Sequence, residues 1–187
     1  MSDPVQTQGG GLGHIIRRLI HVSMVFVPWC YYSFSVPRYI PWVVIAVVVV
    51  LEAWRLSAGV LLFGQRANEV KRISAFAWGA VSLSIVLLST TSQFAYPIIA
   101  SCALADPLIG EMRRRRWSAY WVGWLGLLLL AIIWGVAVRY WELSWWWVVV
   151  MAPLTVAAEW PNWPWIDDNG LMQLVPLFVV LLVNGWF

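Results

Sequence analysis

Long apolar runs recur along the whole chain, each of about 18 residues or more and so able to cross roughly 30 Å of hydrocarbon. A soluble core of this length would alternate apolar and polar positions, and here the runs are unbroken. With 61% of 187 residues hydrophobic and only 11% charged, the chain has too little polar surface to enclose itself in water. The pattern predicts an all-α fold, a polytopic transmembrane helical bundle that accounts for the chain as one membrane domain.

Hydropathy predicts about seven helices, over residues 19–36, 39–56, 73–90, 92–110, 118–138, 143–158 and 171–187. Pro37, Pro41 and Pro161 stand where turns or helix starts are wanted. Thr90, Thr91 and Ser92 mark either a very tight turn or a polar kink in one long helix, and the second reading leaves six helices. The opening residues 1–13 are polar and Gly-rich and lack the charged-then-apolar order of a cleaved signal. They predict a flexible tail that stays attached, followed by a single domain over residues 14–187.

Basic residues orient the bundle. Arg17, Arg18, Arg55, Arg66, Lys71, Arg72 and Arg113 to Arg116 fall on one face, and only Arg38 and Arg139 on the other, ten against two. The positive-inside rule then places the N-terminus in the cytoplasm. The acidic residues were not used in that argument, yet they gather on the same face: Glu52, Glu69, Asp106, Glu111, Glu159, Asp167 and Asp168, leaving Glu142 opposite and Asp3 in the tail. Because the cations punctuate spans rather than form a soluble face, the formal charge of +3 does not point to nucleic acid. The sixteen tryptophans sit near the ends of the runs, as interfacial anchors do. Cys30 and Cys102 have neither metal nor redox spacing and read as inert fillers.

Several of these charges are candidates for chemistry. Glu52 and Arg55 share a helix face, as an ion pair, a site, or both. Arg66, Glu69, Lys71 and Arg72 form either a solvated loop or a set of cations facing a polyphosphate. Asp106 ends an apolar run and is followed by Gly110, Glu111 and four arginines: a carboxylate to hold Mg²⁺, a glycine to admit a phosphate, and cations to balance charge. Taken by itself, the arginine run also reads as a topology signal or an anionic-lipid contact. Asp167, Asp168 and Asn169 offer oxygen ligands to a divalent cation, or a helix cap. His21, one turn after Arg17 and Arg18, reads as structural or as a phosphate and proton contact.

Taken in order, Arg17-Arg18-x-x-His21, Glu52-x-x-Arg55, Arg66-x-x-Glu69, Asp106-x-x-x-Gly110, and Glu159 followed by Asp167-Asp168-Asn169 and Pro176 resemble the CTP-dependent polyprenol kinase family of dolichol, phytol and yeast-type diacylglycerol kinases. The resemblance covers nearly the whole chain. It implies transfer of the CTP γ-phosphate to a long-chain lipid alcohol drawn from the bilayer, with Mg²⁺ or another divalent cation, at the cytoplasmic face of a multi-pass protein. The resemblance implies catalytic roles for Asp106, Asp168 and His21, with the metal on Asp106, Asp167 and Asp168. Arg18, Arg55, Arg66, Lys71, Arg72, Gly110 and Asn169 would then surround nucleotide and phosphate, and Glu52, Glu69 and Glu159 would orient the cations. Pro107 follows Asp106 where the family has a small residue, and Trp117-Ser118 stands where it has a Lys-Ser pair. The chain is short beside eukaryotic dolichol kinases, which points to a prokaryotic cell membrane. A phosphatidate cytidylyltransferase would want a similar acidic and basic face, and a small transporter would want charges at mid-depth, where this sequence has Val, Leu, Ile, Ala and Trp.

Overall fold

The computed structural model describes residues 7–161, 163 and 165–185, and among these every regular element is helical. In chain order the helices are α1 (Gly10–Ser23), α2 (Phe26–Ser33), α3 (Tyr39–Ala58), α4 (Ala75–Ser89), α5 (Ser92–Arg114), α6 (Ala119–Tyr140), α7 (Trp146–Glu159) and α8 (Asp168–Asn184), with a 3₁₀ turn at Ala67–Lys71. Eight helices replace the expected seven because the first predicted helix is divided. Pro28 has no N–H for the Met24 carbonyl, which instead accepts from Val27 at 3.0 Å, and the chain turns there. At the other doubtful point the helix ends at Ser89 and a new one starts at Ser92, so the tight turn is the correct alternative and the six-helix reading is not.

The tail is also shorter than expected. Helix starts at Gly10, and Gln8 is held to the 59–74 loop by Gln8 N to Gln65 O at 2.8 Å and Gly64 N to Gln8 O at 3.0 Å. Gly64 can make that approach because its φ of 86° suits a residue without Cβ. Residues 1–6 of the expected tail, and residues 186–187 of the expected last helix, lie outside the described residues.

Helix α6 packs against α5 and α7, α8 against α4, α5 and α7, and α3 against α4, while α1 and α2 rest on α5. One core layer gathers Phe94, Ile98, Trp134, Trp147, Met151 and Val180, with the Trp134 and Trp147 rings stacked. A second layer, closer to the charged end, gathers Cys102, Ile109, Val122, Leu130 and Met172. Gly126 lets α6 meet α5 closely there, since a Cβ would stand 3.0 Å from Ile109 Cδ1.

Two helices, α3 and α6, are long and apolar enough to cross a membrane. Their apolar stretches are only 11% and 33% buried within the protein, so most of that apolar surface faces outward. Val43, Val47, Val50 and Trp54 on α3, and Leu128, Ile132 and Val136 on α6, all face outward. Helices α4, α7 and α8 are apolar but shorter.

Candidate functional site

The charged ends of α5, α7 and α8 converge with the 59–74 loop around a cavity of about 620 Å³. Asp106 comes from α5, Glu159 from the last position of α7 and Asp168 from the first position of α8. Each offers a carboxylate oxygen within 4.8 Å of the others. Three hard oxygen donors from three helices form a set suited to Mg²⁺ or Ca²⁺. Without a cation their mutual repulsion is only partly offset: Glu159, 3% exposed, accepts from Arg113 Nη2 at 2.6 Å, and His21 Nε2 lies 3.4 Å from Asp106. The residues present therefore fit a divalent ion.

This grouping differs from the expected metal set, although Asp167 also lines the cavity. Glu159, not Asp167, completes the triad with Asp106 and Asp168. Asp167 is instead the N-cap of α8, with its Oδ1 accepting from Asn169 N at 3.2 Å and Asn169 Nδ2 at 2.7 Å. Burial, together with the neighbouring Asp168 carboxylate, pushes the Asp167 carboxyl up to about 8. Asn169 is also displaced from its expected place, because it is buried at a second cavity rather than in the acidic one.

Of the expected nucleotide contacts, Arg66, Arg72 and Gly110 line the acidic cavity. Among the described residues Arg66 makes no ion pair, and a Cβ at Gly110 would meet nothing within 4 Å, so both leave that space open. Arg18, Arg55 and Lys71 do not line it. Arg18 pairs with Glu111 at 2.6 Å, tying α1 to α5, and Lys71 is exposed away from it.

Arg55 is the clearest correction. It is 1% exposed, and all five guanidinium N–H groups are used: Nε and Nη2 on Glu52 at 3.0 and 2.7 Å, Nη1 on the Val60 and Glu69 carbonyls at 3.2 and 2.9 Å, and Nη2 again on the Arg72 carbonyl at 2.6 Å. No donor remains for a phosphate. Arg55 is the clamp that shapes the loop carrying Arg66, Glu69 and Arg72. Glu52, besides orienting Arg55, accepts from Ser74 N at 2.6 Å and so anchors the start of α4. Glu69 accepts from Arg17 Nη1 at 2.8 Å and from Arg66 N at 3.2 Å through one oxygen.

Sequence reasoning did not single out Arg113 from the run of four arginines, and it missed the aromatic rim. The Arg113 guanidinium stacks 4.9 Å over the Trp160 ring, and Trp78, Trp117, Trp163 and Trp165 also line the cavity. The signal for Arg113 was present: Asp106, Gly110 and Arg113 follow an i, i+4, i+7 spacing on one helix face. Trp160 directly follows Glu159 and was read only as an interfacial anchor. Both cysteines are free thiols.

Comparison with protein families, curated proteins and solved structures finds no match to this chain.

Proposed function

We propose that the protein is a multi-pass membrane enzyme, N-terminus in the cytoplasm, that transfers the γ-phosphate of CTP to a lipid alcohol in the manner of the polyprenol kinases. The observation that carries this reading is the convergence of Asp106, Glu159 and Asp168, from three helices, in a cavity that also holds Arg66, Arg72 and Arg113. Carboxylates that hold a cation, and arginines that hold phosphate oxygens, are the parts phosphoryl transfer needs. A bound Mg²⁺ would offset the negative charge of the phosphate oxygens.

The protein's own residues then have distinct tasks. Asp106, Glu159 and Asp168 would hold the cation, with His21 bracing Asp106 by its Nε2, which also lies 3.1 Å from the Cys102 carbonyl. Arg66 and Arg113 meet the phosphates, and Gly110 leaves them room to approach. The tryptophan rim offers flat faces for a nucleobase and limits water around the phosphates. The alcohol oxygen attacks the γ-phosphorus, the bond from phosphorus to the β-bridging oxygen breaks, CDP leaves, and the hydroxyl proton passes to the transferred phosphoryl group or to water. Positioning and charge balance supply most of the rate, since the transition state is loose. The outward apolar faces of α3 and α6 support a lipid surrounding, and the abundance of cations at the site end supports a cytoplasmic one.

The test is transfer by the purified protein in detergent, with Mg²⁺, from γ-labelled CTP or ATP to dolichol, phytol, geranylgeraniol and diacylglycerol. Labelled lipid from CTP, lost in Asp168→Asn, is the expected result. No transfer to any acceptor overturns the kinase assignment, and pyrophosphate release on adding phosphatidate would identify a cytidylyltransferase instead.

A further inference from the structure

A second cavity, about 560 Å³ in volume, lies between α1, α2, α3, α4 and the loop at residues 62–65. Met24, Val27, Val44, Phe76, Leu83 and Leu87 give it apolar walls. Its charged residues, Arg17, His21 and Glu69, belong to the end that meets the acidic cavity, where His21 reaches Asp106. Glu69 lines both cavities, and among the described residues it alone does so.

Glu69 is 5% exposed, and its two oxygens differ. Oε1 is occupied by Arg17 and the Arg66 N–H, while Oε2 is buried and has no hydrogen-bond partner among the described residues. A buried carboxylate oxygen without a donor is costly, and such an orphan at the junction of two cavities calls for a donor brought by a ligand. The ligand must also satisfy the apolar groove. A chain with one hydroxyl head does both.

We propose that Glu69 Oε2 accepts the hydroxyl hydrogen of a single-chain lipid alcohol whose hydrocarbon lies in this groove, and so presents the alcohol oxygen to the acidic cavity. The proposal rests on the kinase reading for the fate of that oxygen and adds the acceptor site. It assigns Glu69 binding and orientation, with the proton still on the hydroxyl. The volume is that of a pocket for one ligand of moderate size, roughly 300–1,000 Å³. A fatty acid is excluded by its own carboxylate, which carries no donor at neutral pH and would face Glu69 with like charge. An alkane lacks the head group.

The experiment uses the full chain in lipid nanodiscs and a twenty-carbon alcohol bearing a photoreactive group near its tail, with cross-links mapped by mass spectrometry. Labelling is expected on Met24, Leu83 and Leu87, competed by unlabelled alcohol but not by the matching alkane or fatty acid. Glu69→Gln keeps an oxygen for Arg17 and the Arg66 N–H, and is expected to cut the preference for alcohol over alkane about tenfold, the loss of one hydrogen bond to a charged group. CTP binding should be unaffected by Ala80→Phe, which fills the groove from α4 without touching Glu69 and should abolish the labelling. Cross-links spread over the outward faces of α3 and α6, equal competition by alkane, or labelling that survives Ala80→Phe would overturn the proposal. Labelling requires no phosphate transfer. A protein that binds the alcohol in the groove but moves no phosphate therefore sinks the kinase reading alone, and an active kinase with no groove labelling sinks the acceptor site alone.

Discussion

Arg55 offers the sharpest separation of a structural cation from a catalytic one, and Arg55→Lys is the perturbation that exploits it. Charge is kept, so long-range electrostatics barely change. Donors fall from five to three, and the planar fork that grips Glu52 through two nitrogens is lost. At least two of the five hydrogen bonds, which include those to the Val60, Glu69 and Arg72 carbonyls, are lost, although Glu52 keeps Ser74 and the Glu69 carbonyl keeps the Arg72 N–H as other donors. At about 1 kcal/mol or more for each hydrogen bond lost, the substitution costs at least about 2 kcal/mol. The cost falls first on the loop from residue 59 to 74, which this side chain holds to the end of α3. Thermal unfolding in detergent should show a midpoint lower by at least about 4 °C on the usual scaling for a chain of this size. Hydrogen exchange should quicken in that loop before it does in α5 or α8. Activity falls with the loop, and excess CTP does not rescue it. The opposite pattern, an unchanged midpoint with weaker CTP binding restored by high CTP, would mean that Arg55 faces the nucleotide, and the clamp argument would be wrong.

Asp168→Asn and Asp106→Asn should each lower Mg²⁺ affinity and transfer by about 100-fold or more, read by calorimetry and by labelled product, because each removes one of the three carboxylates proposed to hold the cation. Arg113→Ala leaves the Glu159 carboxylate buried without its cation and should cost about 2 kcal/mol in metal-free protein; millimolar Mg²⁺ should restore much of the melting midpoint, and failure to restore it would remove Glu159 from the metal set. Asp167 holds its proton in the folded protein up to about 8, far above the unfolded carboxylate value of about 4. Its contribution to stability is therefore complete below about pH 4 and is lost as pH rises through about 8, at up to about 1.4 kcal/mol per pH unit. Metal-free protein should melt at higher temperature as pH is lowered from about 8 to about 6, and Asp167→Asn should flatten that slope; a slope of the opposite sign contradicts the burial of Asp167.

The bundle and its charged end were legible in the sequence for a simple reason: an ionisable group within a long apolar run is costly, so its place along the run reports depth. Helix ends came out within a few residues at Tyr39, Ala75, Ser92 and Ala119. The break after Ser23 was not read, although Pro28 carried the signal, because hydropathy is blind to a missing N–H. The pairings were not legible at all. Arg17 finds Glu69 across 52 positions and Arg113 finds Glu159 across 46, and nothing local specifies either partner. The local spacing Glu52-x-x-Arg55 does predict its ion pair, but not that three loop carbonyls take the remaining donors.

Arg55 and Glu69 show what that difference means for function. In the sequence both are charged residues in similar short motifs, Arg55 read as a nucleotide contact and Glu69 as an acid that orients such cations. In the fold one has every hydrogen-bonding group engaged and the other keeps an oxygen with no partner, at the meeting point of a polar and an apolar cavity. A saturated buried charge has no capacity left for a ligand, so its conservative replacement is felt as lost stability. An unsaturated one holds unspent binding capacity, so its replacement is felt by whatever molecule completes it. Substituting the two residues in parallel, with melting and alcohol binding read on each, separates the scaffold of this site from the surface that meets substrate.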